Sequence, residues 1–169
     1  MRTAILTANM HISIGAVFML LALQFFSPTA SAGCGSPHAL WPKIQPIATG
    51  VINSRSNLMD MLKSAPQNAN DTPRVIMVNY EADSVVVFMS YLIDLISLHR
   101  GMKSETDRKT VATLFEEGAA QEIKVLSQRI SIINGYIAQM QNQSLIQQSI
   151  TTRDSVVAVR DMLTSQCSP

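Results

Sequence analysis

The residues able to do chemistry are few and far apart. From residue 33 onward there are two histidines, His38 and His99, two cysteines, Cys34 and Cys167, and a short acidic run, Glu116-Glu117, with Glu122 nearby. A zinc protease needs HExxH, a di-iron bundle a Glu-x-x-His pair and a c-type haem CxxCH, because each spacing puts its ligands on one face or in one turn; none of the three occurs. There is no Gly-rich phosphate loop, and no serine stands in a nucleophile motif. Two carboxylates working as acid and base must share a site. Helical spacing instead turns Glu116 and Glu117 to solvent and leaves Glu122 alone beside an apolar seam. The expectation is therefore a chain that is not an enzyme, with no catalytic set, no metal and no cofactor.

His38 falls among prolines and reads as an idle surface imidazole, and His99 as a helix-end residue. Glu122, next to Ala119 and Leu126, is expected as a rim carboxylate whose stem packs on the core. The alternative is a partly buried carboxylate paired with Arg153 or Arg160 from another helix.

The cysteines are better placed for structure than for redox work. They lie near the two ends of region 33–169, with no CxxC spacing and no histidine cluster, which in an oxidising compartment reads as one structural disulfide, Cys34–Cys167. The compartment is argued from the start of the chain. Ile14 to Phe26 is apolar apart from Gln24, and Pro28 and the small-x-small triplet Ala30-Ser31-Ala32 follow it. That is the pattern of a signal peptide cleaved after Ala32. The block falls short of the roughly 20 apolar residues that span a bilayer. We therefore expect residues 1–32 as a cleaved signal, 33–169 as one domain, and a periplasmic or extracellular location with no stable membrane span after cleavage. A lipid anchor at Cys34 is the lesser alternative, since Ser31-Ala32-Gly33-Cys34 only half resembles a lipidation site.

Of the 13 lysines and arginines, Arg2 alone precedes residue 33, so the domain balances the 12 acidic residues and is formally neutral. A neutral chain without a basic run lacks the footprint that nucleic acid or an anionic membrane demands.

The elements that must position these residues are helical. Pro37, Pro42 and Pro46 mark 36–46 as an irregular lead-in carrying Trp41, with a first helix over about 47–64. Asp71 or Thr72 is placed to cap a second helix over about 73–100, with Pro73 at its first position. Its Val75, Val78, Ala82, Val85, Met89, Leu92, Ile96 and His99 alternate spacings of 3 and 4, an unbroken seam. Ser104 and Asp107 resemble a capping pair for a third helix running to about 141, through Asn134-Gly135. Asn142 or Ser144 opens a fourth, to about Cys167. The expected fold is all-α, an up-down-up-down four-helix bundle with an irregular proline-containing N-terminal lead-in and one disulfide joining the chain ends, which an even helix count brings to one end.

On the second helix the apolar surface extends beyond the seam. With no catalytic set, the leading expectation is an exported protein that acts by protein–protein binding, as an inhibitor, an immunity-type protein or an envelope adaptor. Its contact surface is expected around Tyr80, Val87, Tyr91 and Asp94. The alternative is a carrier of an apolar ligand or cofactor in an interior rich in methionine (Met59, Met61, Met89, Met140, Met162).

Overall fold

The computed structural model describes residues 33–34, 37–65 and 70–167, so the signal and its cleavage site lie outside the described residues. Among the described residues four helices follow one another: α1 (Pro37–Ser64), α2 (Asp71–Gly101), α3 (Glu105–Ile137) and α4 (Gln143–Gln166). Each packs on its neighbours in sequence, α1 closes against α4, and α2 and α4 also pack on each other across the diagonal, so that each of these two touches all three other helices. This is the expected all-α bundle, and a Cys34–Cys167 disulfide joins the start of α1 to the end of α4.

The stretch expected as an irregular lead-in is helical from Pro37. The reason lies in phase. Leu40, Ile44, Ala48 and Val51 recur every three or four residues and are all buried, while Pro42 and Pro46 fall on the outer side and are exposed. The carbonyls that those prolines leave without an N–H partner therefore face water, and the apolar face holds the helix despite them. Pro37 opens the helix, where a missing N–H costs nothing.

The second helix begins two residues earlier than expected, with Asn70 at the cap position and Pro73 at its third residue. Asp71 does not cap its own helix by the expected route: fully buried, it reaches across the bundle, its two carboxylate oxygens accepting the backbone N–H groups of Gln141 (2.9 Å) and Asn142 (2.8 Å). Ser104 accepts the N–H of Asp107 as the capping pair implied (3.4 Å), and Asn142 accepts those of Ser144 and Leu145 at the start of α4. The third helix runs through Gly135 and ends at Ile137, short of the expected 141, yet Met140 still turns inward.

The core is built around the α2 seam, whose Val75, Val78, Ala82, Val85, Met89, Leu92 and Ile96 are all fully buried. Phe115, Leu126 and Ile133 face it from α3, Leu58 from α1, and Leu145, Val156 and Leu163 from α4. The α1–α4 interface is different in kind. Thr152 and Gln148 both donate to the Ser54 carbonyl (3.2 and 3.1 Å), and the Ser54 and Ser155 hydroxyls meet at 2.9 Å. A satisfied polar group in an apolar seam allows one register, because sliding by a turn would strand it without partners.

Candidate functional site

The second helix has two stripes on opposite faces, and the outer one is the candidate site. Inward lies the buried seam. Outward, at spacings of 3 and 4, lie Ile76, Tyr80, Asp83, Val87, Tyr91, Asp94 and Leu98. The apolar members keep about half or more of their surface in solvent: Ile76 48 %, Tyr80 60 %, Val87 65 %, Tyr91 45 % and Leu98 48 %. At 1.5 Å per residue the stripe is about 33 Å long, the length of a substantial helix–helix contact. The helix is long and apolar enough to cross a membrane by length and composition. Here those apolar residues divide between the bundle core and this outer stripe.

The serines flanking the stripe make it less polar than their type suggests. Ser84, Ser90 and Ser97 each donate to a carbonyl one turn back (Tyr80, Val86 and Ile93, 3.0–3.1 Å). A hydroxyl turned onto its own helix offers less to water. Toward the middle, the Tyr91 ring lies over α3: a Cβ added at Gly118 would sit 3.4 Å from its Cε1. Leu114, one turn from Gly118 and 44 % exposed, extends the apolar surface onto α3. Of the two carboxylates, Asp83 is paired with Arg55 of α1 at 2.6 Å, whereas no ion pair among the described residues includes Asp94.

All four residues expected to form the contact surface, Tyr80, Val87, Tyr91 and Asp94, lie in this stripe and face solvent. Sequence reasoning missed Ile76 and Leu98. The signal for both was present, since they continue the phase of Tyr80 and Tyr91 by four and seven residues.

A second cluster holds the titratable groups between α2 and α3. Arg129 donates to Glu81 across the helix pair at 2.7 Å, with the Glu81 side chain only 10 % exposed. Glu122 lies two turns before Arg129 on α3, and its Oε1 is buried without a hydrogen-bond donor. Burial pushes the Glu122 carboxyl above its ordinary value, and the attraction of Arg129 pulls it back by less. Arg153 and Arg160, the cations weighed from sequence, instead pair with their neighbours Asp154 and Asp161. The cation that Glu122 feels is thus on its own helix.

A prediction follows from the direction of that shift. A carboxyl raised in the fold binds its proton more tightly folded than unfolded, so its contribution is present below the ordinary value of 4.5 and is lost as pH rises through the folded value. Glu122→Gln mimics the protonated form. It is expected to raise the melting temperature at neutral pH and to lose that advantage below about pH 4. Thermal melts of both proteins across this range test it, and a variant less stable than wild type at neutral pH would count against it.

The third cluster is at the disulfide end. His38, near the start of α1, His99 and Arg100 in the last turn of α2, and Arg108 in the first turn of α3 line an open cleft of 370 Å³. Sequence reading treated both histidines singly and gave no reason to join them. Among the described residues no three of His, Cys, Asp and Glu come together as metal ligands would. The interior methionines Met89, Met140 and Met162 are core residues, and Met59 and Met61 are partly buried against the core.

Compared with known proteins, the chain matches no family model, no curated protein and no solved structure.

Proposed function

We propose that this chain is an exported helical-bundle protein that acts by binding another protein along the outer stripe of α2, as an inhibitor, an immunity-type antagonist or an envelope adaptor. The observation that carries the reading is the second, outward row of apolar residues on α2: a helix that needs one apolar stripe to fold has two. Single exposed apolar residues are ordinary, but a row with two tyrosines is what an interface presents. Asp94 lies within that row, so the partner should bring an apolar helix or groove with a lysine or arginine at one point along it. Export draws its support from the signal-like residues 14–32 and from a disulfide, which persists in oxidising compartments.

The test uses the protein as bait in its native compartment, beside Val87→Asp and Tyr91→Asp. Both sites are exposed, so the variants are expected to melt with the wild type. A partner held by the wild type should be bound about 30-fold or more weakly by either variant, the loss typical of an interface anchor. Equal retention of every captured protein by wild type and both variants would refute the surface.

A further inference from the structure

We infer that the cleft at the disulfide end binds a dianionic oxyanion, a phosphoryl group carried by a small ester or a lipid headgroup. The cleft is built from three helices far apart in sequence, and among the described residues the side chains that line it, His38, His99, Arg100 and Arg108, are all basic. Two of these have a local partner in helix electrostatics. His99 and Arg100 sit at the C-terminal end of α2, where a positive charge meets the negative end of the helix dipole. His38 runs against it: it is the second residue of α1, whose first turn has no acidic residue, so a basic group stands where the helix end is already positive and its first N–H groups lack partners within the helix. Arg108 is the fourth residue of α3, whose first turn also carries Glu105 and Asp107.

Arg108 is also incompletely satisfied. Its Nε is buried and meets no acceptor. Its Nη2 reaches Glu105 only at 3.7 Å, between side chains 43 % and 69 % exposed, and Glu105 is shared with Lys109 at 4.0 Å. A long, exposed pair of this kind contributes little and leaves most of the guanidinium fork free. Arg100 and Arg108 supply two fixed positive charges, the imidazoles can add donors, and guanidinium forks match the oxygens of a phosphoryl group. At 370 Å³ the cleft lies at the small end of ligand sites, with room for the phosphoryl group and a few more atoms.

The probe is inorganic phosphate, titrated into the disulfide-intact protein at constant ionic strength with chloride as the balancing anion and followed by amide NMR shifts. Saturable shifts are expected at His99, Arg100 and Arg108, with a dissociation constant on the order of 1 mM or below. Arg100→Gln and Arg108→Gln should each weaken binding tenfold or more while leaving the melting temperature in place. Sedimentation with vesicles of phosphatidic acid, a phosphomonoester lipid, in phosphatidylcholine identifies the carrier: phosphate-competable sedimentation assigns a headgroup, and phosphate binding without sedimentation assigns a free ester. Shifts that do not saturate, shifts away from the cleft, or equal binding by both variants would overturn the site.

Discussion

Reducing the Cys34–Cys167 bridge is expected to cost the fold about 2–5 kcal/mol, the largest effect of any single covalent change in this chain. The bridge closes a loop of 133 residues, and on the chain-entropy model a loop of that length removes about 5 kcal/mol of disorder from the unfolded state. A domain of this size has a net stability of about 5–15 kcal/mol, so a large share of the total is at stake. Location adds to topology. Both cysteines are 2 % exposed, and the bridge fastens the first helix to the last, across the interface where Ser54, Gln148, Thr152 and Ser155 already fix the register. Urea unfolding of the oxidised and dithiothreitol-reduced protein measures the difference. The reduced form should unfold at a lower urea midpoint and with a steeper dependence on urea, because an unbridged chain exposes more surface when it unfolds. The double variant Cys34→Ala/Cys167→Ala should behave as the reduced protein does. A reduced protein within about 0.5 kcal/mol of the oxidised one would show that the native contacts at this end already do what the bridge was expected to do.

Where the sequence was legible, one physical requirement governed each position. The α2 seam from Val75 to Ile96 came out residue by residue, because its inward positions are apolar and keep an unbroken helical period. Tyr80, Val87, Tyr91 and Asp94 were placed on the outer face by the same periodicity. The first turns of α1 were misread because Pro42 and Pro46 were weighed as helix breakers without regard to phase. The spacing of Leu40, Ile44, Ala48 and Val51 already told which side of the helix each proline occupies. In α4 the inward face was only partly legible, since Ser149 and Thr152 are fully buried and residue type marked them as surface. Their burial depends on partners in other segments, Met140 for Ser149 and the Ser54 carbonyl for Thr152. The basic cleft was illegible for the same reason. His38, His99, Arg100 and Arg108 belong to one site only because the connection between α2 and α3 comes to the end of the bundle where α1 begins.

Asp71→Ala is expected to destabilise the protein by about 3 kcal/mol, which for a domain of this length lowers the melting temperature by on the order of 10 °C. Asp71 is 0 % exposed, and its carboxylate accepts one N–H on each oxygen, from Gln141 at 2.9 Å and Asn142 at 2.8 Å. Both donors belong to the turn between α3 and α4, so one side chain at the start of α2 holds the far connection in place. The positive N-terminal ends of α2 and α4 both lie beside this carboxylate, which favours a negative charge there. Removing it leaves two backbone donors in a part-buried turn without their acceptors, and the penalty for stranding them exceeds the ordinary worth of a hydrogen bond. Asp71→Asn separates shape from chemistry: the amide fills the same space but offers one acceptor, and its NH₂ faces an N–H. Its loss should therefore exceed half that of alanine, and amide exchange at Gln141 and Asn142 should quicken in both variants. Asparagine as stable as wild type, with both amides still protected, would mean that the turn is held by its own packing. With the disulfide at one end and Asp71 at the other, the bundle is fastened at both ends by contacts between chain-distant residues.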